Sequence, residues 1–305
     1  MSGQFDQQVR QDFERARQRA FVHDVIAVLQ RRQNDLVPYH EIRQRVSPER
    51  ESYRGLQTVR LDQIVGSMDR FQDFDREFLP RKRFVAGRWQ NVDRAYYQDV
   101  QLPPIQLYKV GDIYFVKDGN HRVSVARERG QEFIDAEVYE GHVRVPLTPE
   151  MEPRELLMQA EYGEFLRRTN LDRLVPDHDI RPTSLGRYDE IVGDIEGHRA
   201  WLQAIRHELV AMDDAVLDWY EYIYEPIVAV ARERGMPERF PNHSEADLYL
   251  WVMAHRWELE RELGEDVGPA QSAEDFAQHG TIEQTPRDSL RLWWGRFWDA
   301  ITGGI

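Results

Sequence analysis

Through residues 5–33 the apolar side chains recur at helical spacing: Phe5, Val9, Phe13, Phe21, Val25, Ile26 and Leu29, with Arg and Gln between them. Positions so spaced collect on one helix face, which predicts a single amphipathic helix. Leu36-Val37-Pro38 ends it, a short helix is expected over 39–46, and Ser47-Pro48 breaks the run. The period then changes. Residues 58–64 (TVRLDQI) alternate apolar and polar, as a half-buried strand does. Helical spacing returns over 89–97 and stops at Leu102-Pro103-Pro104.

The next forty residues carry the clearest pattern. Residues 105–108 read as a strand, Val110-Gly111-Asp112 as a turn and 113–116 as the return strand. Asp118-Gly119 breaks that strand and opens a short helix over 120–129, with Gly130 placed as a residue that tolerates the left-handed region after a helix end. Residues 133–139 alternate again. The order is strand, strand, helix, strand.

After Pro146 helical spacing dominates, over 153–168, 187–209, 211–234 and 244–263, with loops at 176–182 and 235–241. Ser244, three residues before Asp247, has the spacing of a helix start. Residues 268–287 are polar and turn-rich and are expected to form a linker. The tail at 290–301 (LRLWWGRFWDAI) is short and aromatic, and its expected place is on its own domain or on a second copy in a homodimer. The fold class is therefore α+β: a helical arm over 1–54, a small α/β domain over 55–148, a mostly α-helical domain over 149–267, and a linker and tail over 268–305.

Composition narrows the chemistry. The chain has no cysteine, which removes disulfides, thiolate metal sites and cysteine nucleophiles. No run of about 18 apolar residues stands out as a membrane span, the first twenty residues lack the apolar core of a secretory signal, and a cytoplasmic location is expected. The net charge of -14 is uneven. Residues 1–150 hold 24 Arg and Lys against 23 Asp and Glu, whereas residues 151–305 hold 16 against 31. The first half can hold an anion; the second repels nucleic acid and anionic membranes as a whole. Only Lys82, Lys109 and Lys117 are lysines, which a GC-rich coding sequence would account for.

The candidate chemistry centres on Asp118-Gly119-Asn120-His121-Arg122. A strand that turns directly into a helix leaves unpaired backbone N–H groups at one point, and the helix dipole adds positive potential there. Gly119 lets an anion approach without a Cβ in the way. Arg122 can fork onto phosphate oxygens, and Asn120 and His121 add donors. Asp118 repels phosphate unless it holds a metal, accepts a proton or caps the helix. The plainer alternative is Asp118 as a cap and Arg122 in a surface ion pair.

This order of elements, with Asp-Gly-x-His-Arg at the helix start, resembles the ParB/sulfiredoxin superfamily over roughly residues 55–142. Gly119 and Arg122 match the family's shared Gly-x-x-Arg, and Asp118 before the glycine is most similar to the version in its free-serine kinase. The resemblance implies a nucleoside triphosphate, ATP or CTP, with magnesium at this segment, and Asp118 as a base. It implies a nucleotide-dependent regulatory switch or a small-molecule phosphotransferase with a small-molecule acceptor or a protein partner. Sulfinic-acid repair is excluded, because Asn120-His121 stand where the sulfiredoxin cysteine would be. The alternative is a DNA-binding regulator or partitioning-type protein using the N-terminal half, which the acidic C-terminal half disfavours.

Residues 68–83 (MDRFQDFDREFLPRKR) follow the first strand and would lie near the nucleotide in such a fold. Asp69 is placed as a magnesium ligand, Asp73 as a second candidate base, and Arg70 and Arg76 on the phosphates. The alternative is a charged loop anchored by Phe71, Phe74 and Phe78. Arg81-Lys82-Arg83 with Arg88 and Trp89 forms a basic patch that nucleic acid could also use. In the second half, His243, Glu245, Asp247 and His255, and separately Asp177-His178-Asp179, lack firm ligand spacing, and structural histidines are expected.

Overall fold

A computed structural model describes residues 2–46, 51–141 and 143–280, and the chain divides into two compact units at Glu164. The first unit is a mixed six-stranded sheet with helices on both faces. In chain order it contains α1 (Ser2–Gln30), β1 (Val37–Pro38), α2 (Tyr39–Val46), β2 (Ser52–Arg60), β3 (Ile64–Ser67), α3 (Ala86–Tyr97), β4 (Ile105–Val110), β5 (Ile113–Asp118), α4 (Asn120–Glu128), β6 (Phe133–Gly141) and the start of α5 (Pro153–Thr169).

The strand order is β1-β3-β5-β4-β6-β2. β1, β3 and β5 run parallel, β4 is antiparallel to β5 and parallel to β6, and β2 closes antiparallel on β6. The connection from β2 to β3 shows how curved this sheet is. Four flat strand spacings amount to about 19 Å, whereas the four steps from Arg60 to Ile64 reach at most about 14 Å. The sheet must therefore curl towards closure. Arg127 ties this crossing, donating to the carbonyls of Leu61 and, at 2.8 Å, of Ile64, with its guanidinium over the Phe78 ring at 5.0 Å.

Alternation on β5 explains why the strand is apolar throughout. Tyr114 and Val116 face one core with Phe13, Ala16 and Ala20 of α1, Trp89 of α3 and Val123 of α4. Ile113 and Phe115 face the other, with Tyr39 and Ile42 of α2 and Leu156 and Ala160 of α5. Thus α1, expected as an arm, packs one face into the sheet's core. The strand read over 58–64 is instead the end of β2, a 3-10 turn at Leu61–Gln63, and the start of β3. The turn buries Leu61, so an apolar residue at an even spacing belongs to a bend.

The second unit is helical: α6 (Leu171–Leu174), α7 (Arg187–Arg206), α8 (Met212–Trp219), α9 (Glu225–Glu233), α10 (Met236–Arg239), α11 (Glu245–Leu263) and α12 (Pro269–His279). The helix expected over 211–234 is interrupted by a π turn at Tyr220–Tyr224. Residues 269–279 of the expected linker form α12, which buries Ala273 and Phe276. The α11 start has the capping box read from the sequence: Ser244 Oγ accepts from the Asp247 N–H at 3.2 Å, and Asp247 Oδ2 accepts from the Ser244 N–H at 2.9 Å. The aromatic tail lies outside the described residues, among which no helix is long and apolar enough to cross a membrane.

Candidate functional site

Parallel neighbours β3 and β5 end side by side, with Ser67 in register with Val116 and the Met68 N–H donating to the Val116 carbonyl at 2.9 Å. The segment after β3 and the start of α4 therefore leave the sheet at the same edge. Ligands of open α/β sheets gather outside the carboxyl ends of such strands.

Gly119 caps α4 with φ +114°, in the left-handed region. A Cβ there would lie 2.4 Å from Cγ2 of Ile105 and 3.2 Å from Nε of Arg122. The glycine is thus required by the turn and by the approach of β4. Arg122 closes the outer side. It donates to the carbonyls of Pro103 and, at 2.8 Å, Pro104, and pairs with Asp118 one helical turn away. The guanidinium is a clamp on the Pro103-Pro104 bend, and its partner Asp118 is exposed.

Asn120 and His121 point inward and are buried. Asn120 Oδ1 and His121 Nδ1 have no hydrogen-bond partner, and exchange of the Asn120 amide atoms would present an equally buried donor. Buried polar atoms are ordinarily paired, with protein, ordered water or a ligand. The His121 ring meets Phe74 edge-on at 5.5 Å. Burial first, then the positive charges of Arg70 and Arg88, push its pKa down to about 4, so the imidazole is neutral at neutral pH.

The loop from residue 68 to 82 is held from within. Asp75, fully buried, accepts from the N–H groups of Glu77 at 3.0 Å and Leu79 at 2.7 Å and meets His23 Nδ1 at 3.0 Å. Burial raises its pKa against these bonds. With Phe74, Phe78 and Leu79 in the core, the loop presents Arg70 and Asp73 towards His121. Asp73 is bridged by Arg70 and by Lys82, each at 3.3 Å. Arg88 arrives from α3, which is keyed to α4 by Trp89 Nε1 donating to Ser124 Oγ at 2.9 Å and by Arg129 on Asp93 at 2.8 Å.

Of the residues singled out in the sequence, the structure brings Arg70, Asp73, Asn120 and His121 together beside Gly119, with Asp118 and Arg122 paired at the outer edge. Arg76 is turned elsewhere, to Glu152 and to the Met151 carbonyl at 2.8 Å. Asp69 is exposed, and among the described residues no group of three His, Asp or Glu side chains converges as a metal site. In the sequence, Lys82 and Arg88 belong only to the basic patch that nucleic acid could use. The approach of Arg88 to His121 depends on how α3 packs on α4, for which the sequence carries no periodic signal, and Lys82 reaches the site only through Asp73. The neighbouring Arg81 is spent on Asp24, Asp35 and the Asn34 carbonyl.

In the helical unit, His255 pairs with Asp275 at 2.7 Å, and His243 stands 3.8 Å from Asp247 with its ring against Trp251 at 4.7 Å. No family model matches the chain, and no curated protein matches it.

Proposed function

We propose that this protein binds a phosphate-bearing small molecule at the start of α4, a nucleoside triphosphate (ATP or CTP) being the class that the ParB/sulfiredoxin resemblance names. The observation that carries this reading is the convergence of Arg70 and Arg88 on a glycine-opened helix start whose Asn120 and His121 hold buried atoms without partners, with the nearby Asp73 bridged by Arg70 and by Lys82. Three cations against one carboxylate leave positive potential where the helix dipole already favours an anion. A phosphate oxygen offers acceptors to His121 and to an Asn120 amide, and its charge favours a protonated imidazole. Binding then takes up a proton on His121.

Within this class, binding that switches a regulatory state is favoured over phosphotransfer. Both candidate bases are occupied by cations, Asp118 by Arg122 and Asp73 by Arg70 and Lys82. Among the described residues the side chains assemble no metal-binding group of their own, so a magnesium ion would be held mainly by the triphosphate oxygens, where it neutralises their charge. Arg122 acts by holding the Pro103-Pro104 bend against Gly119.

Calorimetric titration of the full chain with tripolyphosphate, ATP and CTP, at low and high salt, tests this reading. Binding of all three that weakens as salt rises is expected. Tighter binding of one nucleotide than of tripolyphosphate identifies a base pocket. Absence of binding by all three at low salt overturns the reading.

A further inference from the structure

The helical unit contains a cavity of about 640 Å³ between α7, α8, the π turn and α11, with α12 at its rim. That size is ordinary for a small-molecule site, since such pockets span about 300–1,000 Å³. Its walls are indoles and aliphatic side chains, chiefly Trp201, Trp219, Trp257, Leu202, Ile223 and Met253. The π turn at Tyr220–Tyr224 follows Trp219 and sets Tyr222 and Ile223 on the cavity. Extra residues of this kind inside helices recur at functional sites.

One polar group deep in this lining is unfinished. Asp194 of α7 is 3% exposed. Its Oδ2 accepts from the Tyr249 hydroxyl at 2.9 Å, and that hydroxyl accepts from Trp219 Nε1 at 2.9 Å. Its Oδ1 is buried without a partner. The other charged groups on the lining mostly cancel. Arg256 is clamped on Asp266, and Asp218 is shared by Arg206 at 3.1 Å and His198 at 2.6 Å. Asp194 and Glu260 are the lining carboxylates without an ion pair among the described residues. A half-open aromatic space with a net surplus of carboxylate and one unpaired acceptor calls for a cationic donor with an apolar body. Indole faces favour a cation for the same electrostatic reason.

We propose that this cavity binds a small organic amine, with its apolar body against the indoles of Trp201, Trp219 and Trp257 and its ammonium on Oδ1 of Asp194. The site is independent of the phosphate reading, because every residue in it belongs to the second unit. Burial raises the Asp194 pKa to about 7, helped by the charge of Glu190 and opposed by the Tyr249 hydroxyl and by Arg256. The remaining titratable and charged groups on the cavity are His198 of α7, kept neutral mainly by burial, Arg206 of α7, Asp218 of α8, Tyr222 of the π turn, Arg256 and Glu260 of α11, and Asp266, which Arg256 holds. An ammonium on Oδ1 restores the ionised carboxylate, so amine binding releases a proton near neutral pH and weakens in acid.

Calorimetry of the full chain with phenethylamine, and with its neutral and anionic counterparts 2-phenylethanol and 3-phenylpropionate, tests the proposal. Phenethylamine is expected to bind at least about tenfold more tightly than either counterpart, with an affinity that falls below pH 7. Asp194→Asn keeps the shape and is expected to weaken the amine roughly thirtyfold or more. Trp201→Ala, at the half-exposed rim, is expected to weaken it several-fold with the fold unchanged, and carries the test if Asp194→Asn does not fold. No binding of phenethylamine up to about 10 mM overturns the proposal. So does equal binding of 2-phenylethanol, or an affinity untouched by the folded variants.

Discussion

The start of α4 and the cavity of the helical unit differ in how they are built. The first is an open edge assembled from a short contiguous stretch, 118–122, one loop and Arg88 of α3, with a surplus of cations around a neutral histidine. The second is a half-open cavity walled by helices far apart in the sequence, with a surplus of carboxylate around one buried aspartate. One polar residue in each is displaced in pKa mainly by burial, and the two are displaced so that both prefer to be neutral. The same physical cost thus has opposite pH consequences. A buried histidine resists gaining a proton, and a buried aspartate resists losing one.

The largest expected effect is on Asp194. Its folded pKa lies above the unfolded value, so its favourable contribution is complete below about pH 4 and is lost as pH rises through about 7. The loss amounts to about 4 kcal/mol. Asp194→Asn should therefore gain stability over the wild type as pH rises from 4 to 8, measured by urea unfolding at each pH. A constant difference across that range would remove the buried-carboxylate half of the comparison.

His121 should show the reverse slope. Its folded pKa of about 4 lies below the unfolded value, so its contribution is present above about pH 6.5 and is lost as pH falls through 4. The window corresponds to about 3 kcal/mol. His121→Gln should flatten the acid limb of the wild-type stability profile, and an unchanged acid limb would place that loss elsewhere.

How far each region can be read from the sequence follows from the same contrast. The run from residue 105 to 139 was legible because alternation, the turn at Gly111 and the glycine after α4 are local, and Gly111 and Gly130 do adopt positive φ. The glycine-opened helix start at Asp118–Arg122 was legible for the same reason, although Arg122 reaches back to the carbonyls of Pro103 and Pro104, which a linear pattern does not encode. The break between β2 and β3 was not legible, because the bend at Leu61–Gln63 preserves the apolar alternation through which it passes. α12 was hidden by its polar composition, since its buried face rests on Ala273 and Phe276. Asp194 resembled any exposed acid on a helix. Only the packing of Trp219 and Tyr249 against it makes it buried, and those residues lie 25 and 55 positions away.

A smaller effect separates backbone shape from charge at the first site. Gly119→Ala places a Cβ against Ile105 at a φ that side chains avoid, and should cost about 2–3 kcal/mol in unfolding experiments. Phosphate binding should be lost with it while phenethylamine binding remains. Loss of both would show that the two sites are not independent.

The most direct test of the account compares wild type with the double variant Arg70→Ala/Arg88→Ala in titrations with tripolyphosphate and with phenethylamine. Neither arginine belongs to the hydrophobic core, so the fold should persist. The account predicts that tripolyphosphate affinity falls about thirtyfold to a hundredfold, from the loss of two charged donors, while phenethylamine affinity is unchanged. Undiminished tripolyphosphate affinity in the folded variant would contradict the placement of an anion site at the start of α4.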